Sequence, residues 1–152
     1  MSAERFTLDT NLLVYFHDFA DPVKQGLSAS IIRSAMLKEC CLTLQSIGEC
    51  FVSLRRMLMA TNSDAARRAR FFATGFPLID PTASALHQAL SVAEIGRLSF
   101  WDAFLLATAA EAGCTTCLSE DMDDGEKLGT ITVRHAFAGK SLSRAAQALL
   151  AP

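Results

Sequence analysis

The sequence predicts a three-layer α/β/α fold with a mostly parallel sheet of about five strands. Three observations lead to this prediction. Short apolar runs typical of buried strands alternate with longer runs in which apolar residues recur at helical spacing. The 152 residues are enough for one domain with a sizeable core. No repeat, low-complexity tract or flexible linker divides the chain, so we expect residues 1–152 to form a single domain.

The first elements are a strand and two helices. Residues 5–9 are predicted as a short strand, followed by a helix over 11–16. A longer helix is predicted over 22–39, because Pro22 suits a first helical turn. Apolar residues recur on one face of that helix, at Leu27, Ile31 and Ala35.

The next elements are again a strand followed by helices. The compact apolar run at 40–44 is predicted as the second strand. Residues 46–60 return to helical spacing, and a further helix continues to residue 72. Asn62 or Ser63 would cap this second helix.

The last third of the chain continues the alternation. Residues 76–79 are predicted as the third strand and 82–95 as a helix. Ser99 caps a helix over 100–112, which ends at Gly113. Two more strands and a short helix complete the chain, at 115–119, 130–134 and 141–150.

Composition excludes several classes of protein. Hydrophobic residues make up 51% and charged residues 20%, which excludes a disordered chain. A net charge of −2 excludes a wholly basic protein that coats nucleic acid. The longest uncharged stretch, 81–93, is too short for a membrane span, and the first residues lack the apolar core of a signal peptide. We therefore expect a cytoplasmic protein that does not associate with membranes.

The five cysteines indicate reduced thiols, because no secretion signal accompanies them. Cys114 and Cys117 form a C-x-x-C pair, which raises a metal or redox role. No second pair occurs, however, and both sulfurs fall in an apolar run. Buried structural thiols are the favoured interpretation.

Four acidic residues fall at or just beyond the carboxyl ends of predicted strands. They are Asp9, Glu49, Asp102 and Asp121. Strand ends of a parallel sheet gather at one edge, which is where such folds bind ligands. Clustered carboxylates repel one another, and a bound cation relieves the repulsion. Oxygen ligands suit a hard divalent ion, so the pattern indicates a site for Mg²⁺ or Mn²⁺.

Each of these acids also has a purely structural explanation. Ser46 and Glu49 fit a capping box, in which Glu49 would only close its own helix. Asp102 would complement a helix dipole, and Asp9 would cap the helix that follows it. Residues 120–126 would form a solvated acidic turn. The recurrence of four acids at one predicted edge favours a common site.

Four ordered motifs resemble those of the PIN-domain ribonucleases. They are LDTNLLVY at 8–15, Glu49 with Leu54 and Arg55, WDAFLLA at 101–107, and LSEDMDDG at 118–125. The resemblance covers residues 6–138. The size of the chain, with no added domain, is similar to that of the VapC-type toxins of bacterial toxin–antitoxin pairs.

This resemblance implies an endoribonuclease that hydrolyses RNA with Mg²⁺ or Mn²⁺. It assigns catalytic and metal-binding roles to Asp9, Glu49, Asp102 and Asp121, with Asp124 as an accessory acid. It assigns supporting roles to Thr10, Asn11 and Ser119. Which of Asp121, Asp123 and Asp124 reaches the metal stays open, because they lie so close in sequence.

A basic segment predicts contacts with the RNA. Residues 55–72 have a local charge of +4, with Asp64 as the one acid among five arginines. The arginines are Arg55, Arg56, Arg67, Arg68 and Arg70. They would follow the phosphates beside the acidic pocket, although a solvated helix face explains them equally well.

Two protein partners are also expected. The resemblance implies a small antitoxin protein, which would place a basic side chain in the acidic pocket. It also implies a homodimer, and the high apolar content supports a buried interface.

Alternative functions stay open at this stage. A PIN-fold module that only binds, or an RNA-processing nuclease without an antitoxin, would share the same motifs. A receiver-type phosphoacceptor is disfavoured, because Asp9 is followed by Thr10 and Asn11 and a late lysine is replaced by Arg134. Neither glycine-rich nucleotide-binding motif occurs in the sequence.

Overall fold

A computed structural model describes residues 3–152 of the chain. The strands are β1 (Phe6–Leu8), β2 (Leu42–Thr43), β3 (Leu78–Ile79), β4 (Thr116–Ser119), β5 (Lys127–Leu128), β6 (Ile131–His135), β7 (Phe137–Ala138) and β8 (Ser141–Leu142). The helices are α1 (Thr10–Tyr15), α2 (Pro22–Ala35), α3 (Leu44–Met57), α4 (Asn62–Gly75), α5 (Ala83–Glu94), α6 (Phe100–Glu111) and α7 (Arg144–Leu150). Strands and helices alternate as the sequence predicts.

The central sheet is mostly parallel. Its strands lie in the order β1-β4-β6-β5, and only β5 is antiparallel to its neighbour. A parallel bridge between Phe6 and Cys40 joins β1 to the parallel pair β2-β3. Five parallel strands therefore lie side by side in the order β3-β2-β1-β4-β6, which confirms the predicted α/β class. β7 and β8 form a separate antiparallel hairpin.

Helices cover both faces of this sheet. Successive residues of a strand point to opposite faces, and the neighbours Cys117 and Leu118 of β4 lie in different apolar clusters. The cluster around Leu118 includes Leu12, Ile31 and Leu54 from α1, α2 and α3. The cluster around Cys117 is built with residues from α5 and α6. The core is thus divided between two layers, as a three-layer fold requires.

Short polar side chains fix where most of the helices begin. The hydroxyls of Thr43, Thr61, Thr82, Ser99 and Ser143 each accept a backbone N–H from the first turn of α3, α4, α5, α6 and α7. The predicted cap at Ser99 is confirmed. The cap predicted at Asn62 or Ser63 is instead Thr61, one residue before Asn62. The capping box of Ser46 with Glu49 is wrong, because α3 already begins at Leu44.

Several predicted elements are longer than the observed ones. The helix predicted over 22–39 ends at Ala35, since the N–H groups of Leu37 and Lys38 bond to carbonyls three residues back. β3 is shorter than the predicted strand at 76–79, because Pro77 has no N–H to donate. The short strands β5, β7 and β8 were not predicted from the sequence.

No helix within residues 3–152 combines the length and apolar character that crossing a membrane requires.

Candidate active site

The four acidic residues singled out from the sequence line one pocket. This acidic pocket has a volume of about 230 Å³ and lies beyond the carboxyl ends of β1 and β4. Asp9 follows β1 directly, and Asp121 lies just after β4. Asp102 is in the first turn of α6, and Glu49 is in the second turn of α3. The fold therefore brings together acids from four distant segments of the chain.

Asp9 is the most firmly held of these acids. Its side chain is only 9% exposed. Its Oδ1 accepts the N–H of Thr10 at 2.7 Å, and its Oδ2 accepts the hydroxyl of Ser119 at 2.7 Å. Its own N–H donates to the carbonyl of Leu118 at 2.9 Å, which ties it to the end of β4. Both carboxylate oxygens thus have a fixed direction.

Burial raises the pKa of Asp9 to about 6, from an ordinary value of 3.8. Hydrogen bonds from Ser119 and Thr10 oppose this rise, and the charges of Asp102 and Asp121 add to it. The pKa of Asp9 therefore records both desolvation and the presence of neighbouring acids.

Glu49 is oriented by two side chains. Thr10 Oγ1 donates to Glu49 Oε2 at 3.3 Å, and Gln45 Nε2 donates to Glu49 Oε1 at 2.5 Å. Gln45 also donates to the carbonyl of Trp101 at 3.0 Å, which links α3 to α6. Glu49 contributes nothing to the cap of α3, where Thr43 accepts the N–H of Ser46 at 3.1 Å. The position of Glu49 in the pocket is thus left without a capping explanation.

Asp102 and Asp121 present carboxylates that accept no hydrogen bond from the described part of the chain. The N–H of Asp102 donates to Ser99 Oγ at 3.2 Å, so its backbone, not its carboxylate, completes the cap of α6. Asp121 is exposed in the turn after β4. Both side chains are available to a ligand in the pocket.

The other acids of the fourth motif have different positions. Asp124 Oδ1 accepts the backbone N–H of His135 at 2.9 Å, and Asp124 Oδ2 lies 3.8 Å from Nη1 of Arg134. Asp124 and Asp123 both lie outside the lining of the acidic pocket. The geometry thus favours Asp121 as the acid of this motif that faces a ligand.

Three polar side chains predicted to support the site lie in or against the pocket. Thr10 and Ser119 donate to Glu49 and Asp9, as described above. Asn11 lines the pocket, and its buried Oδ1 and Nδ2 have no partner within residues 3–152. A buried amide without a partner is uncommon and suggests an interaction that a ligand would complete.

The donor set fits a hard divalent cation in its chemistry. Every candidate ligand is a carboxylate oxygen, and the raised pKa of Asp9 shows that burial and the neighbouring acids disfavour its charged form. Within residues 3–152, however, no three Asp, Glu, His or Cys side chains stand close enough to hold an ion as they are. An ion would therefore have to draw the carboxylates together.

The five arginines are divided between two helices. Arg55 Nη1 donates to the carbonyl of Ala60 at 2.6 Å, near the end of α3. On α4, Arg67 and Arg68 pair with Asp64. The exposed Arg56 and Arg70 form no ion pair within the described residues, and none of the five arginines lines the acidic pocket.

Tyr15 is a pocket residue that the sequence analysis did not single out. It lines the acidic pocket at the end of α1. Burial, with a contribution from Glu120, raises the pKa of Tyr15 to about 12, so the phenol stays protonated. Lys24 lies over its ring, with Nζ 4.8 Å from the ring centroid. No sequence signal connects these residues, since Lys24 and Glu120 are on distant segments.

A second pocket opens beside the first. This apolar pocket has a volume of about 540 Å³ and shares Glu49 with the acidic pocket. Its apolar lining is formed by Leu44, Pro81, Trp101 and Phe104. Trp101 is 59% exposed, which is unusual for so large an apolar side chain.

Comparison with known proteins identifies the fold. The family model of the PIN domain matches residues 6–123. No curated protein matches the chain. The VapC20 toxin of Mycobacterium tuberculosis, described as cleaving the Sarcin-Ricin loop, is similar with a TM-score of 0.59 and 19% identity, covering 74% of this chain and 86% of that chain.

Two toxin–antitoxin structures are similar in the same way. The DNA-bound VapBC of Salmonella typhimurium has a TM-score of 0.61 and 13% identity, covering 87% of this chain and 98% of the other. The toxin–antitoxin complex from Klebsiella pneumoniae has a TM-score of 0.55 and 19% identity, covering 86% of this chain and 96% of that chain. At such identities the likeness establishes the fold alone.

Proposed function

The chain belongs to the PIN domain family, and from this premise we propose that it is a Mg²⁺- or Mn²⁺-dependent endoribonuclease, the toxin of a toxin–antitoxin pair. One observation carries the proposal: Asp9, Glu49, Asp102 and Asp121 come from four separate segments and line the same pocket. The VapC20 toxin, a structural neighbour, is described as a toxin that cleaves the Sarcin-Ricin loop, which supports a nuclease activity here. The proposal includes a single domain over residues 1–152 and a cytoplasmic location.

In this proposal the four acids would have distinct roles toward a bound ion. Asp9 and Asp102 would hold the principal ion, and Glu49 and Asp121 would hold a second ion or orient the attacking water. When bound, the ion would lower the pKa of a water ligand and offset charge on the phosphate oxygens. Thr10 and Ser119 fix the carboxylates of Glu49 and Asp9 through their hydroxyls.

The remaining polar groups complete this assignment. The amide of Asn11 would brace the loop after β1 or bond to a ligand. Among the described residues that line the acidic pocket there is no histidine, so a carboxylate is the candidate for accepting a proton from water. Attack of water on phosphorus with a 3′-oxygen leaving group would give 5′-phosphate and 3′-hydroxyl ends. Asp124 stays an accessory candidate only, because it bonds to His135.

RNA would approach along the basic segment of α3 and α4. Arg56 and Arg70 are exposed and are the best placed to contact phosphates. Arg67 and Arg68 are partly neutralised by Asp64, and Arg55 holds the chain near Ala60. We therefore assign RNA contacts first to Arg56 and Arg70, with the other three as weaker contributors.

The proposed homodimer would use the apolar pocket. Trp101 and Leu44 expose apolar area there. A second copy on this surface would remove that area from water. The antitoxin is a separate proposal, supported by toxin–antitoxin complexes among the structural neighbours. An antitoxin arginine would pair with the acids of the pocket and compete with the metal.

A cleavage assay tests the enzymatic proposal. Total RNA is incubated with the wild-type protein in Mg²⁺, in Mn²⁺ and in EDTA, and with the Asp9→Asn variant. We expect cleavage only with a divalent ion, and a loss of at least a hundredfold in the variant. Asp123→Asn is the matched control, because Asp123 lies in the same acidic run but outside the pocket. Full activity in EDTA would refute the metal mechanism.

The same assay decides between this proposal and a module that only binds. A silent module would be consistent with the absence, in the described residues, of a preassembled ligand group. It predicts no cleavage with any ion. A processing nuclease would cleave as proposed and would differ only in ignoring the protein encoded beside it.

A further inference from the structure

Lys24 lies next to the acidic pocket without lining it. Lys24 Nζ is 2.7 Å from Glu120 Oε1 and lies over the ring of Tyr15. Tyr15 lines the pocket, and Glu120 directly precedes Asp121, which lines it as well. The ammonium group is thus held beside a cavity whose charged lining is entirely acidic.

A polyanion meets an electrostatic barrier at such a cavity. Phosphates of RNA are repelled by four carboxylates, and the arginines of α3 and α4 do not line the pocket. A cation beside the pocket would reduce this repulsion. Lys24 is such a cation, but Glu120 offsets its charge while the ion pair is intact, so Lys24 would act once a phosphate replaces this carboxylate.

The geometry leaves Lys24 able to bind a phosphate. An ammonium group has three donors, and Glu120 uses one of them. The side chain of Lys24 is 36% exposed, so solvent and a ligand reach it. A lysine is charged at neutral pH, and the hydrogen bond to Glu120 raises the pKa of Lys24 further. The ring of Tyr15 faces the ammonium group, whose Nζ lies 4.8 Å from the ring centroid.

We propose that Lys24 binds an RNA phosphate next to the one being cleaved, and that Glu120 holds the ammonium group beside the pocket until RNA arrives. This inference rests on the proposed ribonuclease function and specifies how the substrate is held. It also assigns Glu120 a competing role, because its carboxylate and the phosphate bind the same group.

A structural ion pair between α2 and the loop after β4 is the competing explanation. If the pair only stabilises the fold, removing either partner has the same kind of effect. If Lys24 binds phosphate, removing Lys24 weakens RNA binding, whereas removing the charge of Glu120 strengthens it. The two explanations therefore predict different signs for Glu120→Gln.

The experiment measures RNA binding and cleavage separately. Binding of a 5′-fluorescein-labelled, mixed-sequence, single-stranded 15-nucleotide RNA is followed by fluorescence anisotropy in EDTA over a range of salt. Cleavage of the same RNA in Mg²⁺ gives kcat and KM. The variants are Lys24→Met, Lys24→Gln, Glu120→Gln and the double variant Lys24→Met/Glu120→Gln. Lys127→Met is the matched control, an exposed lysine on β5 outside the acidic pocket.

We expect Lys24→Met and Lys24→Gln to raise the Kd about tenfold at low salt, the loss of one charged hydrogen bond. The slope of log Kd against log salt should fall by about 0.7, the value for one phosphate contact on a single strand. KM should rise with little change in kcat. Glu120→Gln should lower the Kd about threefold, and this gain should vanish in the double variant.

Three results would overturn the inference. They are a Kd of both Lys24 variants within twofold of wild type, shifts of the same sign for Lys24→Met and Glu120→Gln, and a gain from Glu120→Gln that persists without Lys24. Circular dichroism melts exclude an effect of unfolding. If the wild type binds but does not cleave, the Kd shifts still decide the role of Lys24, while the proposed nuclease function fails. If it cleaves and the Lys24 variants bind normally, the inference fails alone.

Discussion

Neutralising Asp9 should stabilise the metal-free protein at neutral pH. The pKa of this carboxyl is about 6 in the fold against an ordinary 3.8, because burial and neighbouring acids disfavour its charged form. Since one pKa unit corresponds to 1.36 kcal/mol, the charge of Asp9 costs the folded state about 3 kcal/mol when it is fully ionised. Asp9→Asn removes that cost.

Some of this gain is lost with the hydrogen bonds of the carboxylate. An Asn side chain at position 9 still accepts the N–H of Thr10 through its oxygen. Its NH2 group would donate to Ser119 Oγ, whereas the carboxylate of Asp9 accepts the hydroxyl of Ser119. The pKa of about 6 already includes the preference of both hydrogen bonds for the charged form, so only the rearranged bond to Ser119 is subtracted, at about 1 kcal/mol. We therefore expect a net gain of about 2 kcal/mol in the free energy of unfolding at pH 7.5.

The gain should depend on pH in a defined direction. Because the folded-state pKa of Asp9 is raised, the wild type carries no penalty below about pH 4, where the carboxyl is protonated in both states. The penalty develops as the pH rises from about 4 through about 6. The difference in unfolding free energy between Asp9→Asn and wild type should therefore grow over this interval and level off above pH 7.

Urea unfolding in EDTA between pH 4 and pH 8 measures this difference. Asp123→Asn, an exposed acid outside the pocket, should show no comparable rise. A loss of stability in Asp9→Asn at pH 7.5, or a difference that does not change with pH, would mean that Asp9 serves the fold and not a ligand.

Three further predictions concern the site and the proposed interface. Glu49→Gln should change the melting temperature by less than about 2 °C, because Glu49 does not cap α3. The same variant should lower cleavage at least tenfold. A large loss of stability would mean that Glu49 has a structural role. Asp121→Asn should abolish most cleavage and Asp123→Asn should not, as measured on labelled RNA in Mg²⁺; equal effects would contradict the pocket geometry. Trp101→Lys should convert a dimer into a monomer by light scattering, whereas the control Leu37→Lys, at an exposed leucine outside the apolar pocket, should not; a monomeric wild type would remove the dimer proposal.

Local rules account for the parts of the fold that the sequence predicts well. The cap at Ser99 and the stop at Gly113 lie within a few residues of the helix they bound, so α6 is predicted to within one residue. The alternation of buried strands and helices leads directly to a parallel sheet. The four acids were found because parallel strands end at one edge, whatever the details of each element.

Other features depend on contacts that the sequence does not display. From the sequence, either Thr43 or Ser46 could cap α3. In the fold Thr43 is the cap, and its hydroxyl lies 2.9 Å from the buried hydroxyl of Ser46. The two-residue strands β5 and β7 form because of the strands they pair with more than because of their own composition. The pair of Lys24 with Glu120 joins segments 96 residues apart.

Asp9 shows that a structural and a functional explanation can apply to one residue without being equivalent. Asp9 does cap α1, as the structural explanation requires. Asn caps a helix as well as Asp does, however, and it would avoid the cost of burying a charge. Capping therefore accounts for a short polar side chain at position 9 but not for a carboxylate that weakens the fold. A charge kept at the expense of stability is expected where the charge itself is used, and in this pocket a cation is the ligand that would use it.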